Sequence, residues 1–127
     1  MTNSRRKGKD GELEWAKYCR EQGYLKSRRG QQHSGLEGED VVGLPFIHQE
    51  VKRVEALNLD KAMAQSIRDC QGKVPIVAHR KNNCEWEVTM LANDWFTLYR
   101  EWEASESMKR AETEKLIEEI IEGVNEP

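Results

Sequence analysis

The sequence predicts an α/β fold, a central mixed β-sheet flanked by helices, followed by an amphipathic C-terminal helix. Three observations carry this expectation. Helix-period apolar stripes alternate with short strand-like runs along the chain. Glycine, proline and asparagine mark the changes between them. The resulting order, α-β-β-β-α-β-β-α-α, suits strands and helices sharing layers around one core. With 127 residues, the chain has room for one such domain, expected over residues 1–103, with a helical extension over 104–127.

The first helix is expected from near Asp10 to Gly23, with Trp15, Ala16 and Cys19 as its apolar stripe. Glu12 lies three residues before Trp15 and four before Ala16, so helical phasing turns it to the buried face. Glu14 is rotated about 200° from Glu12 and is expected in solvent. An early carboxylate can also serve the helix dipole alone, so Glu12 has two readings at this point.

Tyr24–Arg29 reads as a short strand, and residues 30–38 as a flexible stretch. Asp40–Leu44 and Phe46–Arg53 read as two strands joined tightly around Gly43 and Pro45. On the second, Ile47, Gln49, Val51 and Arg53 share one face, and Phe46, His48, Glu50 and Lys52 the other. Three successive ionisable groups on one face require an explanation.

Asn58 is a suitable N-cap for a helix with Leu59, Ala62, Met63, Ser66, Ile67 and Cys70 along one stripe. Val74–His79 and Cys84–Leu91 read as strands separated by a polar turn. Asn93 is expected to cap a helix with Trp95, Leu98, Tyr99 and Trp102 on its inner face. Beyond Ala104, Ile117, Ile120, Ile121 and Val124 recur at helical spacing and need a partner surface, either the chain's own core or a second subunit. Trp15, Trp86 and Trp95 read as core residues.

No apolar run approaches the roughly 18 residues that span a bilayer, and the polar first ten residues do not resemble a secretory signal. A cytoplasmic protein is expected, in the host cytoplasm if the chain is viral, with no membrane and no small-molecule cofactor. Cys19, Cys70 and Cys84 lack metal-site spacing and are expected as buried, reduced thiols.

The net charge of −3 conceals a gradient: residues 1–34 carry +5, residues 35–100 carry −2 and residues 101–127 carry −6. A basic N-terminal third suits an anion-binding face. Taken alone, Arg5-Arg6-Lys7 reads as a disordered, solubilising arm.

Hydrolysis of a phosphodiester calls for a hard cation to polarise the phosphate and activate water. Such cations take oxygen ligands, often one or two carboxylates completed by water and phosphate. Asp40 and Glu50 lie on adjacent strands of a tight hairpin, so their carboxylates can converge. Lys52, about 7 Å further along the same face, is placed to orient or deprotonate the attacking water, or to stabilise the pentavalent phosphate. Glu12 supplies a third carboxylate at the edge of the cluster.

These residues resemble the PD-(D/E)XK nuclease superfamily and, within it, the archaeal-type Holliday junction resolvases. The similarity runs from Arg6 to about Trp86. Arg6-Lys7-Gly8 followed by Glu12 is similar to the family opening, which implies a catalytic Glu12. Ser34-Gly35 is similar to its mobile loop, which implies that Ser34 positions DNA or water. Asp40, Glu50 and Lys52 match the metal ligands and catalytic lysine, and the Val51 carbonyl is implied as a further ligand. Glu39 stands where the superfamily has proline, and Leu13 where the resolvases have arginine.

The resemblance implies a restriction-endonuclease-like fold, a Mg2+ cofactor that Mn2+ can replace, and a homodimer cutting branched DNA at four-way junctions during recombination and repair. Arg5, Arg6, Lys7, Lys9, Arg28, Arg29, Gln31 and Gln32 are the expected DNA contacts, with His33 beside them. Arg28 and Arg29 read equally as a solvated strand edge. The alternatives are a nuclease of the same fold acting on flapped, nicked or single-stranded DNA, and a non-catalytic DNA-binding subunit.

Overall fold

A computed structural model of the chain describes residues 4–30 and 39–125. The elements are α1 (Ser4–Glu21), β1 (Arg28–Arg29), β2 (Val41–Val42), β3 (Ile47–Arg53), α2 (Leu59–Asp69), β4 (Val74–Arg80), β5 (Glu87–Met90) and α3 (Ala92–Asn125). The chain divides into two compact units, Met1–Leu91 and Ala92–Pro127.

In the first unit the five strands form one mixed sheet in the order β1-β2-β3-β4-β5. Only the β3–β4 pair is parallel; the other neighbours are antiparallel. A parallel pair needs a crossover, which α2 provides. Asn58 caps that helix as expected, its side chain accepting from the Lys61 amide at 3.1 Å. Gln71 and Gly72 then take positive φ and turn the chain into β4.

Three successive residues of β4, Ile76, Val77 and Ala78, are buried, so both faces of the sheet are covered there. Ala78 joins Trp15, Ala16, Cys19, Val41 and Val51 in the core beneath α1. On α2, Ala62 and Ser66 are buried, and the Ser66 hydroxyl donates to the Ile76 carbonyl at 2.9 Å. Ile67, expected on the buried stripe, is exposed.

The sheet and α1 meet through polar contacts as well as apolar ones. Trp15 Nε1 donates to the Gln49 side-chain oxygen at 2.8 Å, within the core. A Cβ on Gly11 would lie 2.5 Å from Arg53 Cβ, so only glycine allows α1 this close to β3. Glu14 is bonded to Arg53 at 3.4 Å and to Arg80, rather than standing free in solvent as phasing alone predicts.

Several boundaries differ from expectation. Helix α1 begins at Ser4 instead of near Asp10, so Arg5, Arg6, Lys7 and Lys9 belong to a helix and not to an arm. The strands expected over 24–29 and 40–44 shrink to two residues each. Only Cys19 is buried; Cys70 is intermediate and Cys84 exposed, and all three are free. Burial pushes the Cys19 thiol pKa up, which keeps it protonated and inert.

The second unit is one continuous helix where two were expected. No proline or glycine interrupts it between Ala92 and Glu122, so the compositional shift after Ala104 is no break. None of its residues is buried, and Trp95, expected in a core, is 48% exposed. Trp95, Tyr99 and Trp102 stack along one face with ring centroids 5.1 and 5.7 Å apart. Among the described residues, no helix is long and apolar enough to cross a membrane.

Candidate active site

The β2–β3 register positions the two central carboxylates. Val41 pairs with Gln49, and the Asp40 amide donates to the Gln49 carbonyl at 3.1 Å. Continued by one residue, this antiparallel register sets Asp40 opposite Glu50. There the ladder stops. Asp40 Oδ2 instead accepts the Val51 amide at 2.9 Å, taking the place that a longer β2 would have filled. Within a strand, the N–H and C=O of one residue leave on the same edge, so the Val51 carbonyl leaves on the Asp40 side.

A close backbone approach holds this corner. The Gly30 amide donates to the Asp40 carbonyl at 2.8 Å, and a Cβ on Gly30 would lie 2.0 Å from the Glu39 carbonyl oxygen. No other residue type fits there without moving Asp40.

Glu50 is 1% exposed. Its Oε1 lies 3.2 Å from His48 Nε2, while Oε2 is buried and lacks a hydrogen-bond partner among the described residues. Asp40 is affected by this crowding. Its carboxyl, ordinarily near 3.8, is pushed up to about 7 by burial, by the neighbouring Glu50 charge, by a hydrogen bond with the Glu50 carboxylate and, least, by Glu12; the Val51 amide opposes these. Two carboxylates thus share one corner of the sheet, Glu50 buried and Asp40 half-buried.

Glu12 comes from α1 with its side chain 15% exposed, turned inward as its phasing predicts. Its Oε2 accepts from Arg29 Nε at 2.5 Å, so Arg29 is tied to the edge of the site. Lys52 is half-buried two residues beyond Glu50 on the same face of β3, with no ion-pair partner among the described residues. Lys9 lies three residues before Glu12 and is exposed on the same side of α1; Arg6 and Arg28 are exposed, and Lys7 is half-buried. Gln31, Gln32, His33, Ser34 and Gly35 lie outside the described residues.

From the sequence, His48 reads as a polar neighbour of the cluster or a surface residue rather than a ligand, and Glu39 has no assigned contact; the structure gives both a place. His48 is 2% exposed and bonded to Glu50, where proximity alone had been apparent. Glu39 lies 3.8 Å from His48 Nδ1 and forms an ion pair with Lys73. Alternation could have flagged His48, because it is the residue preceding Glu50 on the same face. Nothing local marks Glu39, whose partner lies 34 residues away. His79, without an apparent partner in the sequence, bonds Thr89 across β4 and β5 at 2.8 Å.

Chemically, Asp40, Glu50 and the Val51 carbonyl form an all-oxygen donor set. Such a set suits a hard divalent cation that keeps several waters. Among the described residues, no group of three or more His, Cys, Asp and Glu side chains gathers to hold a metal by itself. Glu12 contributes charge to Asp40's surroundings, but its bonded partner is Arg29. Comparison with protein-family models, with curated proteins and with solved structures returns no match for this chain.

Proposed function

We propose that this chain is a metal-dependent endonuclease of the PD-(D/E)XK kind, with a restriction-endonuclease-like sheet, acting on branched DNA as a Holliday junction resolvase. The observation that carries the reading is the pairing of a half-buried Asp40, its carboxyl raised to about 7, with a buried Glu50 whose Oε2 lacks a hydrogen-bond partner among the described residues. Removing two carboxylates from water without a counter-charge is costly, and a bound cation offsets that cost.

Asp40, Glu50 and the Val51 carbonyl would hold Mg2+, or Mn2+ in its place. Bound there, the cation supplies Lewis-acid polarisation of the scissile phosphate and lowers the pKa of the attacking water. Lys52 has no ion-pair partner among the described residues and lies on the Glu50 face, which suits orienting that water or meeting charge that develops on the phosphate. Glu12 holds Arg29 at the edge of the site and Lys9 lies on the same side of α1; with the exposed Arg6 and Arg28 elsewhere on the same unit, these are the groups that would take phosphates without reading bases.

A homodimer supplies the two equivalent sites that symmetric cleavage of a four-way junction requires. The apolar face of α3 is one surface through which two copies can join; truncation after Glu103, followed by measurement of mass in solution, tests this. An unchanged dimer would remove the deleted part of the helix from the interface.

The test of function is incubation with labelled four-way junction, duplex and single-stranded DNA, with and without Mg2+, beside Asp40→Asn. The expected result is Mg2+-dependent cutting of the junction by the wild-type protein and none by the variant. No metal-dependent cleavage of any substrate removes the enzyme reading. Equal cutting of plain duplex keeps the nuclease and removes the junction preference.

A further inference from the structure

We propose that His48 is a positioning residue for Glu50, occupying one carboxylate oxygen so that the other is presented to the cation. This rests on the metal-dependent reading above. His48 and Glu50 are 2% and 1% exposed, so neither turns to solvent for a partner. His48 Nε2 and Glu50 Oε1 lie 3.2 Å apart. A carboxylate oxygen accepts hydrogen bonds, so in the proposed arrangement the ring proton sits on Nε2. Glu50 Oε2 is then buried with no donor among the described residues other than the proton of the neighbouring Asp40 carboxyl, which a cation would displace. The two oxygens of one carboxylate therefore have different roles: Oε1 is held by the protein, and Oε2 is left for a ligand.

The strand fixes the pair geometrically. His48 and Glu50 are two residues apart on one face of β3, in a part of the strand paired on both sides by β2 and β4, so their separation cannot slip. Beyond the ring, Glu39 Oε1 faces Nδ1 at 3.8 Å, too far for a hydrogen bond but close enough for its charge to orient the imidazole. Lys73, just before β4, is ion-paired to Glu39. The connection runs Lys73, Glu39, His48, Glu50, and joins the start of β4 to the site. Glu39 is also the residue that departs from the superfamily's proline, so this support belongs to the chain's own sequence.

Loss of an outer partner that orients a metal ligand typically weakens metal binding about 10–100-fold. The test is titration of the full chain with Mn2+, read by electron paramagnetic resonance, for wild type, Asp40→Asn, His48→Leu and His48→Gln, with thermal melting of each. His48→Leu keeps the bulk and removes the donor; His48→Gln keeps a donor near Nε2. The expected Mn2+ Kd rises about 10–100-fold in His48→Leu and stays within about threefold of wild type in His48→Gln.

Undiminished binding by His48→Leu, with binding lost in Asp40→Asn, overturns the positioning role and leaves the metal site intact. Binding by His48→Gln as weak as that of His48→Leu also overturns it. Equal Mn2+ binding by wild type and Asp40→Asn overturns the metal reading itself. Should His48→Leu not fold, nitrogen-15 NMR of the wild-type imidazole decides: a proton on Nε2 supports the proposal, and a ring without one overturns it.

Discussion

Two acidic sites flank β3, and they are built in opposite ways. Glu14, from α1, is met by two arginines, Arg53 and Arg80, at the ends of β3 and β4. Asp40 and Glu50, beside the middle of β3, are met by each other, by the Val51 amide and by His48. The first site is neutralised within the protein and ties a helix to a sheet. At the second, burial and then the neighbouring Glu50 charge hold the Asp40 carboxyl up to about 7, so Asp40 retains its proton to about that pH. Matching of charge thus separates a fastening from the site proposed to take a cation.

The comparison breaks first at activity. Asp40→Asn or Glu50→Gln is expected to lower metal-dependent cleavage by about 10³-fold or more in single-turnover assays, while Glu14→Gln leaves it within about threefold. Comparable losses at all three positions would show that the two acidic sites do not differ in kind.

If Asp40 holds the cation as proposed, protons compete with it there, and apparent Mn2+ affinity should fall about tenfold per unit as pH drops below about 7. Calorimetric titrations at pH 5.5, 6.5 and 7.5 measure this, and a flat profile would remove the raised carboxyl from the binding step.

Stability without metal sharpens the contrast. A carboxyl raised in the folded state binds protons more tightly there than in the unfolded chain. Its stabilising effect is complete below about pH 4 and is lost as pH rises through about 7. Metal-free wild type is therefore expected to lose stability between pH 5.5 and 8. Asp40→Asn, which can still accept the Val51 amide, should lose less and be more stable at pH 8 by about 1–3 kcal/mol. Urea unfolding at the two pH values checks both signs.

The smallest effect is expected at the matched site. Glu14 is about one-third exposed, so its pairs are screened, and Glu14→Ala should cost only about 0.2–1 kcal/mol at any pH from 6 to 8. A loss of several kcal/mol would make this pairing a principal support of α1.

What was legible in the sequence follows from which interactions are local. Glu50 and Lys52 share a face because strand geometry alternates, and Asp40 can reach Glu50 because a short hairpin leaves it little choice. Asn58 could be read as a cap for the same reason, since its acceptor bond spans three residues. Glu14 was misplaced because phasing gives direction and not partners, and Arg53 and Arg80 lie 39 and 66 residues away. The early turns of α1 were missed because a basic, glycine-containing run resembles an arm, although arginine and lysine are good helix formers. The division of α3 into two helices rested on composition, which does not break a helix when no proline or glycine intervenes. His48 lay in view as a polar residue on the right face, but its hydrogen bond depends on burial from both neighbouring strands.

One feature of β3 has a genetic consequence. Gln49, Val51 and Arg53 face α1, while His48, Glu50 and Lys52 face the other way, and both rows begin after the turn at Gly43–Phe46. Deleting a single residue in that turn would exchange the two rows, sending carboxylate and ammonium into the core and valine into the site. Single-codon deletions there should consequently be far more damaging than most substitutions at the same positions. A library of both kinds, scored for soluble protein, would reveal this strand's reading frame in three dimensions.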